Sequence, residues 1–197
     1  MSDAPAVAAH PTAAAVALRP RGRGRMALVV SAAALLSAIC ALRFGASADA
    51  LVGAFFCTVL AVVAAIDLER RIIPNRIVLP ATAVVFLAQI AFTPERTFES
   101  VFFGVGAGLF FLLPILVYPA GMGMGDVKLA LFLGVTLGVK VLVALAVGLG
   151  LVFVAAIVVL TQEGLAGRKR ALPFGPFLAA GGVVALLAGD ALLSAYM

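Results

Sequence analysis

Two aspartates and their immediate neighbours are the part of this chain best suited to chemistry. Asp126 follows three alternating glycines, in Gly121-Met122-Gly123-Met124-Gly125, and stands at the mouth of an apolar run. Asp67 ends another apolar run, in Ala65-Ile66-Asp67-Leu68. Charged groups then follow in Glu69-Arg70-Arg71, with a Pro74-Asn75 turn signal behind them. A carboxylate at the edge of a membrane helix is costly, so each is a candidate functional group. Two that meet would form a dyad sharing one proton, which supplies a base and an acid together. The ionised member can draw a proton from a bound water. The protonated member can support a developing oxyanion and a leaving amine. That is the chemistry of an aspartic endopeptidase, and it needs no metal and no cofactor.

The neighbours extend the candidate site. Gly123 and Gly125 let an extended peptide backbone approach without side-chain obstruction. The plainer alternative is a flexible loop with Asp126 as the N-cap of the next helix. Lys128 lies about 200° round a helix from Asp126, so the two do not pair. It either snorkels to the interface or attracts an acidic group on a substrate. Pro173, Phe174, Gly175 and Pro176 either start a helix or form a rigid wall of the site. Asp67 alone could be satisfied by water, Arg70 or Arg71.

These groups must be positioned by membrane helices. The chain is 64% hydrophobic and 12% charged, with a mean hydropathy of +1.23. Apolar windows near the bilayer-spanning length recur throughout. The expectation is an all-α, polytopic membrane helix bundle of about seven transmembrane helices. The spans run near Met26–Leu42, Ala48–Asp67, Ile77–Phe92, Phe98–Tyr118, Asp126–Val139, Val141–Leu160 and Phe174–Ala195. Residues 1–25 read as a disordered basic cytoplasmic tail and 26–197 as the membrane domain. The run after Arg25, with Ala46-Ser47-Ala48, resembles a secretory signal, but its length and the six later spans favour retention. Cys40 and Cys57 lie in apolar runs and read as small hydrophobes. His10 lies in the Ala/Pro-rich leader, away from both acids. Glycines of the later spans, including Gly104, Gly106, Gly108, Gly134, Gly138, Gly148 and Gly150, read as close-packing positions.

Lys and Arg set the orientation. With the N-terminus inside, the inner side holds Arg19, Arg21, Arg23, Arg25, Arg70, Arg71, Arg76, Lys128, Arg168, Lys169 and Arg170. The outer side holds only Arg43, Arg96 and Lys140. Asp67 and Asp126 then share the cytoplasmic side of an inner (cytoplasmic) membrane and can meet without crossing it. The net charge of +5 fits loops facing anionic lipid rather than nucleic acid.

Three segments in order resemble the type IV prepilin peptidase family, membrane aspartic endopeptidases of the GxGD type. They are Ala65-Ile66-Asp67-Leu68 with Ile73-Pro74-Asn75, then Gly123-Met124-Gly125-Asp126-Val127-Lys128-Leu129, then Pro173-Phe174-Gly175-Pro176-Phe177-Leu178. The likeness covers roughly residues 50–195. It implies catalytic roles for Asp67 and Asp126. It also implies removal of a short basic leader from prepilins or pseudopilins on the cytoplasmic side, after a Gly. Larger members carry a cytoplasmic insert with paired CxxC motifs and also methylate the new N-terminus. This chain has no CxxC, so the resemblance is to the peptidase-only form without a zinc site. A proton-coupled transporter or channel is the alternative use of two membrane carboxylates. Its acids belong near the midplane, whereas these lie at one edge.

Overall fold

The computed structural model describes residues 21–118, 123–164 and 173–195. The leader with His10, Gly121-Met122 and the Arg168-Lys169-Arg170 cluster lie outside the described residues. Among the described residues seven α-helices follow one another: α1 (Arg21–Phe44), α2 (Ala48–Arg70), α3 (Asn75–Phe92), α4 (Thr97–Val117), α5 (Met124–Leu137), α6 (Val141–Glu163) and α7 (Gly175–Ser194). No strand occurs among the described residues. Among the described residues six stretches are long and apolar enough to cross a membrane, because Met124–Gln162 forms one apolar stretch containing both α5 and α6. Many large apolar side chains, among them Phe98, Val117 and Phe153, face outward from the bundle. That is the surface of a multi-pass membrane protein, since lipid covers such side chains at no cost.

Local chemistry explains the breaks. Ser47 caps α2, its hydroxyl accepting from Ala50 N–H at 3.2 Å. Arg71 closes α2 in the left-handed conformation, at φ 53° and ψ 40°, and donates its N–H to the Asp67 carbonyl at 2.8 Å. Pro74 then starts α3. Gly138, at φ +57°, ends α5, and a single 3₁₀ turn at Gly138–Lys140 leads into α6. A side chain is disfavoured at that φ, so glycine permits the break.

The short α5 is the centre of the bundle. Its Leu129, Ala130, Phe132 and Leu133 are fully buried. It lies closest to α4, where a Cβ on Gly134 would overlap the Phe103 carbonyl and the Gly104 Cα. On another side, Phe132 meets Phe56 of α2 with ring centroids 5.3 Å apart. Gly181 of α7 abuts the Ala144 and Gly148 backbones of α6. Two glycines depart from the packing expectation: Gly106 and Gly150 face open space. Cys40 of α1 and Cys57 of α2 are both fully buried, with sulfurs 3.8 Å apart.

Candidate active site

Asp67 sits on the last full turn of α2 and is only 5% exposed. Neither Arg70 nor Arg71 forms an ion pair with it among the described residues. Its partner is the backbone of the distant Pro173–Pro176 segment: Gly175 N–H donates to Asp67 Oδ2 at 2.9 Å. Phe174 and Pro176 flank that amide as the N-cap and second residue of α7. The first N–H groups of a helix have no intrahelical acceptor, so they are free to serve a carboxylate. A Cβ on Gly175 would lie 2.8 Å from Asp67 Oδ2 and 3.0 Å from its Cβ and Cγ. Glycine is therefore the residue that lets the two backbones approach this closely. Pro173 precedes the turn and is half-buried.

Asp126 lies in the first turn of α5, half-buried, close enough to Asp67 for their charges to interact. The helix starts two residues earlier than the glycine pattern implies. Gly123 is its extended N-cap, at φ −86° and ψ 145°, and Asp126 N–H donates to the Gly123 carbonyl at 3.1 Å. Asp126 is thus not the N-cap, and Met124-Gly125 is helical rather than strand-like. A carboxylate on that first turn is favoured by the positive end of the helix dipole. Gly125 has a packing role, since its Cβ would lie 2.8 Å from the Ile73 Cβ.

Lys128, one helical turn on from Gly125, reaches across the site. Its Nζ donates to Asn75 Oδ1, the first residue of α3, at 2.9 Å. Two contacts therefore tie the loop after Asp67 to the helix carrying Asp126: Gly125 on Ile73, and Lys128 on Asn75. The candidate residues of all three segments converge at one end of the bundle. Ile73 and Asn75 gain a structural role that their side-chain types alone did not disclose. In the sequence they stood out only through the Pro74-Asn75 turn signal and as the Ile73-Pro74-Asn75 part of the family-like segment.

Residues 54–162 match the type IV leader peptidase family. This chain belongs to that family. The matched segment contains Asp67 and Asp126, while Pro173–Pro176 lies beyond it. Curated relatives repeat the likeness. The prepilin leader peptidase/N-methyltransferase of Bacillus subtilis is 34% identical over 168 residues, covering 83% of this chain and 66% of the relative. The protein of that name from Burkholderia pseudomallei is 32% identical over 195 residues, covering 91% and 62%. That from Pseudomonas aeruginosa is 31% identical over 181 residues, covering 88% and 61%. The chain thus spans less than two thirds of the length of these leader peptidase relatives. No solved structure matched it.

Proposed function

We propose that this chain is a membrane aspartic endopeptidase. It cleaves the basic leader from type IV prepilins or pseudopilins at the cytoplasmic face of the inner membrane, after a Gly that precedes the substrate's apolar helix. The observation that supports this most is the convergence of Asp67, held by the Gly175 amide, and Asp126, whose helix packs at Gly125 against Ile73. Family membership and the relatives' names support the substrate class. The Lys/Arg asymmetry supports the cytoplasmic placement.

In the reaction, a water between the two carboxyl groups gives a proton to the ionised aspartate as its oxygen attacks the scissile carbonyl. The protonated aspartate hydrogen-bonds the oxygen that becomes anionic. Collapse of the tetrahedral intermediate breaks the C–N bond, and the amine leaves with a proton from the pair. The water is thereby divided, OH to the acyl carbon and H to the amine. Gly175 N–H holds one Asp67 oxygen in place, so the carboxylate does not have to reorganise during attack. The Gly125–Ile73 contact and the Lys128–Asn75 bond keep the two acid-bearing helices in register.

The reaction proposed is proteolysis without N-methylation. The sequence contains no CxxC, and its two cysteines are buried within α1 and α2. The test of the peptidase is direct. Purified protein in detergent is mixed with a prepilin and leader loss is followed. Asp67→Asn and Asp126→Asn should each lower cleavage by about 100-fold or more, while both variants insert and accumulate. Near-normal turnover by either variant would make that aspartate structural and refute the mechanism.

A further inference from the structure

We propose that the opposite end of the bundle binds a phosphoethanolamine head group, a phosphate ester carrying a primary amine. The site is a cavity of about 420 Å³ formed by the ends of α2, α3, α4 and α7 and the turn between α5 and α6. Asp49, on its rim, lies about 27 Å from Asp67 along α2, so the cavity is separate from the proposed peptidase centre.

Among the described residues, one polar atom lining it has no partner while most of the others are paired. Gln89 Nε2 donates to the carbonyls of Val135, at 2.9 Å, and Thr136, at 3.4 Å. Those two bonds fix which end of the amide points where. Gln89 Oε1 is then an acceptor closed off from solvent with no donor. Ser100 is 2% exposed and lines the same cavity. Buried polar groups of a folded protein are ordinarily satisfied, so the unpaired Gln89 oxygen points to a donor that the protein itself does not supply.

The charges narrow its chemistry. Lys140 and Asp190 satisfy one another at 2.7 Å. Glu99 uses Oε1 to accept Val139 N–H at 2.9 Å, which leaves its second oxygen for a ligand. Asp49 and Arg96 have no ion pair among the described residues. The cavity therefore offers several acceptors together with one guanidinium. An ammonium supplies three donors for the acceptors, and a phosphate matches the planar fork of Arg96. A choline head group has no N–H to give, and a glycerol head group has no amine. The acids do not assemble into a cation-holding group among the described residues. Phe44, Phe92 and Leu186 add an apolar wall, and the cavity lies at the ends of membrane helices, the depth at which head groups sit. These features fit a phospholipid of the surrounding leaflet.

The test uses lipid retention and does not depend on the peptidase reading, so the two can fail separately. Detergent-purified protein is presented with phosphatidylethanolamine, phosphatidylglycerol and phosphatidylcholine of identical acyl chains, and bound lipid is counted by native mass spectrometry. The expected result is one retained phosphatidylethanolamine, favoured about tenfold over the others. Arg96→Ala and Glu99→Gln should each remove that preference. Glu99→Gln keeps a carbonyl oxygen for Val139 N–H, and circular dichroism with size-exclusion chromatography confirms that both variants are folded. Soluble phosphoethanolamine that competes with the lipid supports the head group as the recognised part. Competition only by intact lipid supports a site that also uses the glycerol and acyl chains. Equal retention of the three lipids, unchanged preference in both folded variants, or a peptide held there in place of lipid overturns the proposal.

Discussion

Gly175→Ala tests the contact that most directly links a distant segment to the reacting groups. The added methyl would sit 2.8 Å from Asp67 Oδ2 and 3.0 Å from its Cβ and Cγ. Comfortable non-bonded separations are about 3.5 Å, so the carboxylate or the start of α7 must give way by about 0.5 Å. Misplacing a reacting group by 1 Å can cost about 100-fold in rate, so half that displacement corresponds to about tenfold. Weakening the 2.9 Å Gly175 N–H bond adds about 1 kcal/mol, a further fivefold or so. The expected outcome is a kcat lowered about 10- to 50-fold with little change in KM, because substrate contacts away from the dyad are intact. Overpacking also costs about 1–3 kcal/mol of stability. Activity is therefore assayed well below the measured Tm, on protein shown to be monodisperse. A kcat within twofold of the parent at unchanged Tm would refute the idea that this amide positions Asp67.

The remaining predictions concern the same end of the bundle. Lys128→Ala and Asn75→Ala should each lower cleavage by only a few-fold, since their bond is exposed, and the double variant should be no worse than either single one. Additive losses in that cycle would show that the two act independently. The rate should follow a bell against pH, falling on the acid side as a second proton enters the pair and on the alkaline side as the shared one leaves. Chelators should not change the rate, and activity lost in EDTA and restored by a divalent ion would displace the two-aspartate mechanism. Mass spectrometry of pilin processed by this protein alone, with a methyl donor present, should show a free N-terminus. One added methyl would overturn the peptidase-only assignment.

The helices were legible in the sequence because lipid imposes a simple rule: apolar side chains for the length of a crossing, charges and turn residues at the ends. That rule places the boundaries near Phe44, Ala48 and Phe92 well. It misjudges α5, because glycines before Asp126 look like a loop in isolation, while tight packing against Ile73 allows the helix to begin at Met124. The two aspartates stood out through their chemical cost. What holds Asp67 did not, since its partner is a backbone amide 108 residues away. No side-chain pattern announces a backbone donor, and the nearby arginines were the more obvious candidates. The same limit applies to Gly106 and Gly150, which match the glycines that pack helices together but face outward. Composition reports that a close approach is allowed, not which side of the helix uses it.

The brevity of α5 sets a depth. Its 14 residues reach about 21 Å, roughly 9 Å less than the hydrocarbon thickness of an ordinary bilayer. The helix carries Asp126 on its first turn, and Lys140 follows just beyond its other end, tied to Asp190. With that lysine at the head groups of one leaflet, the carboxylate falls short of the other. Either the acyl chains compress around the protein, or a dimple of water descends to meet the aspartate. In the proposed reaction, a chain must be drawn below the surface before its amide reaches the acids. The thickness of the host membrane thus becomes a variable of the chemistry, along with pH and sequence.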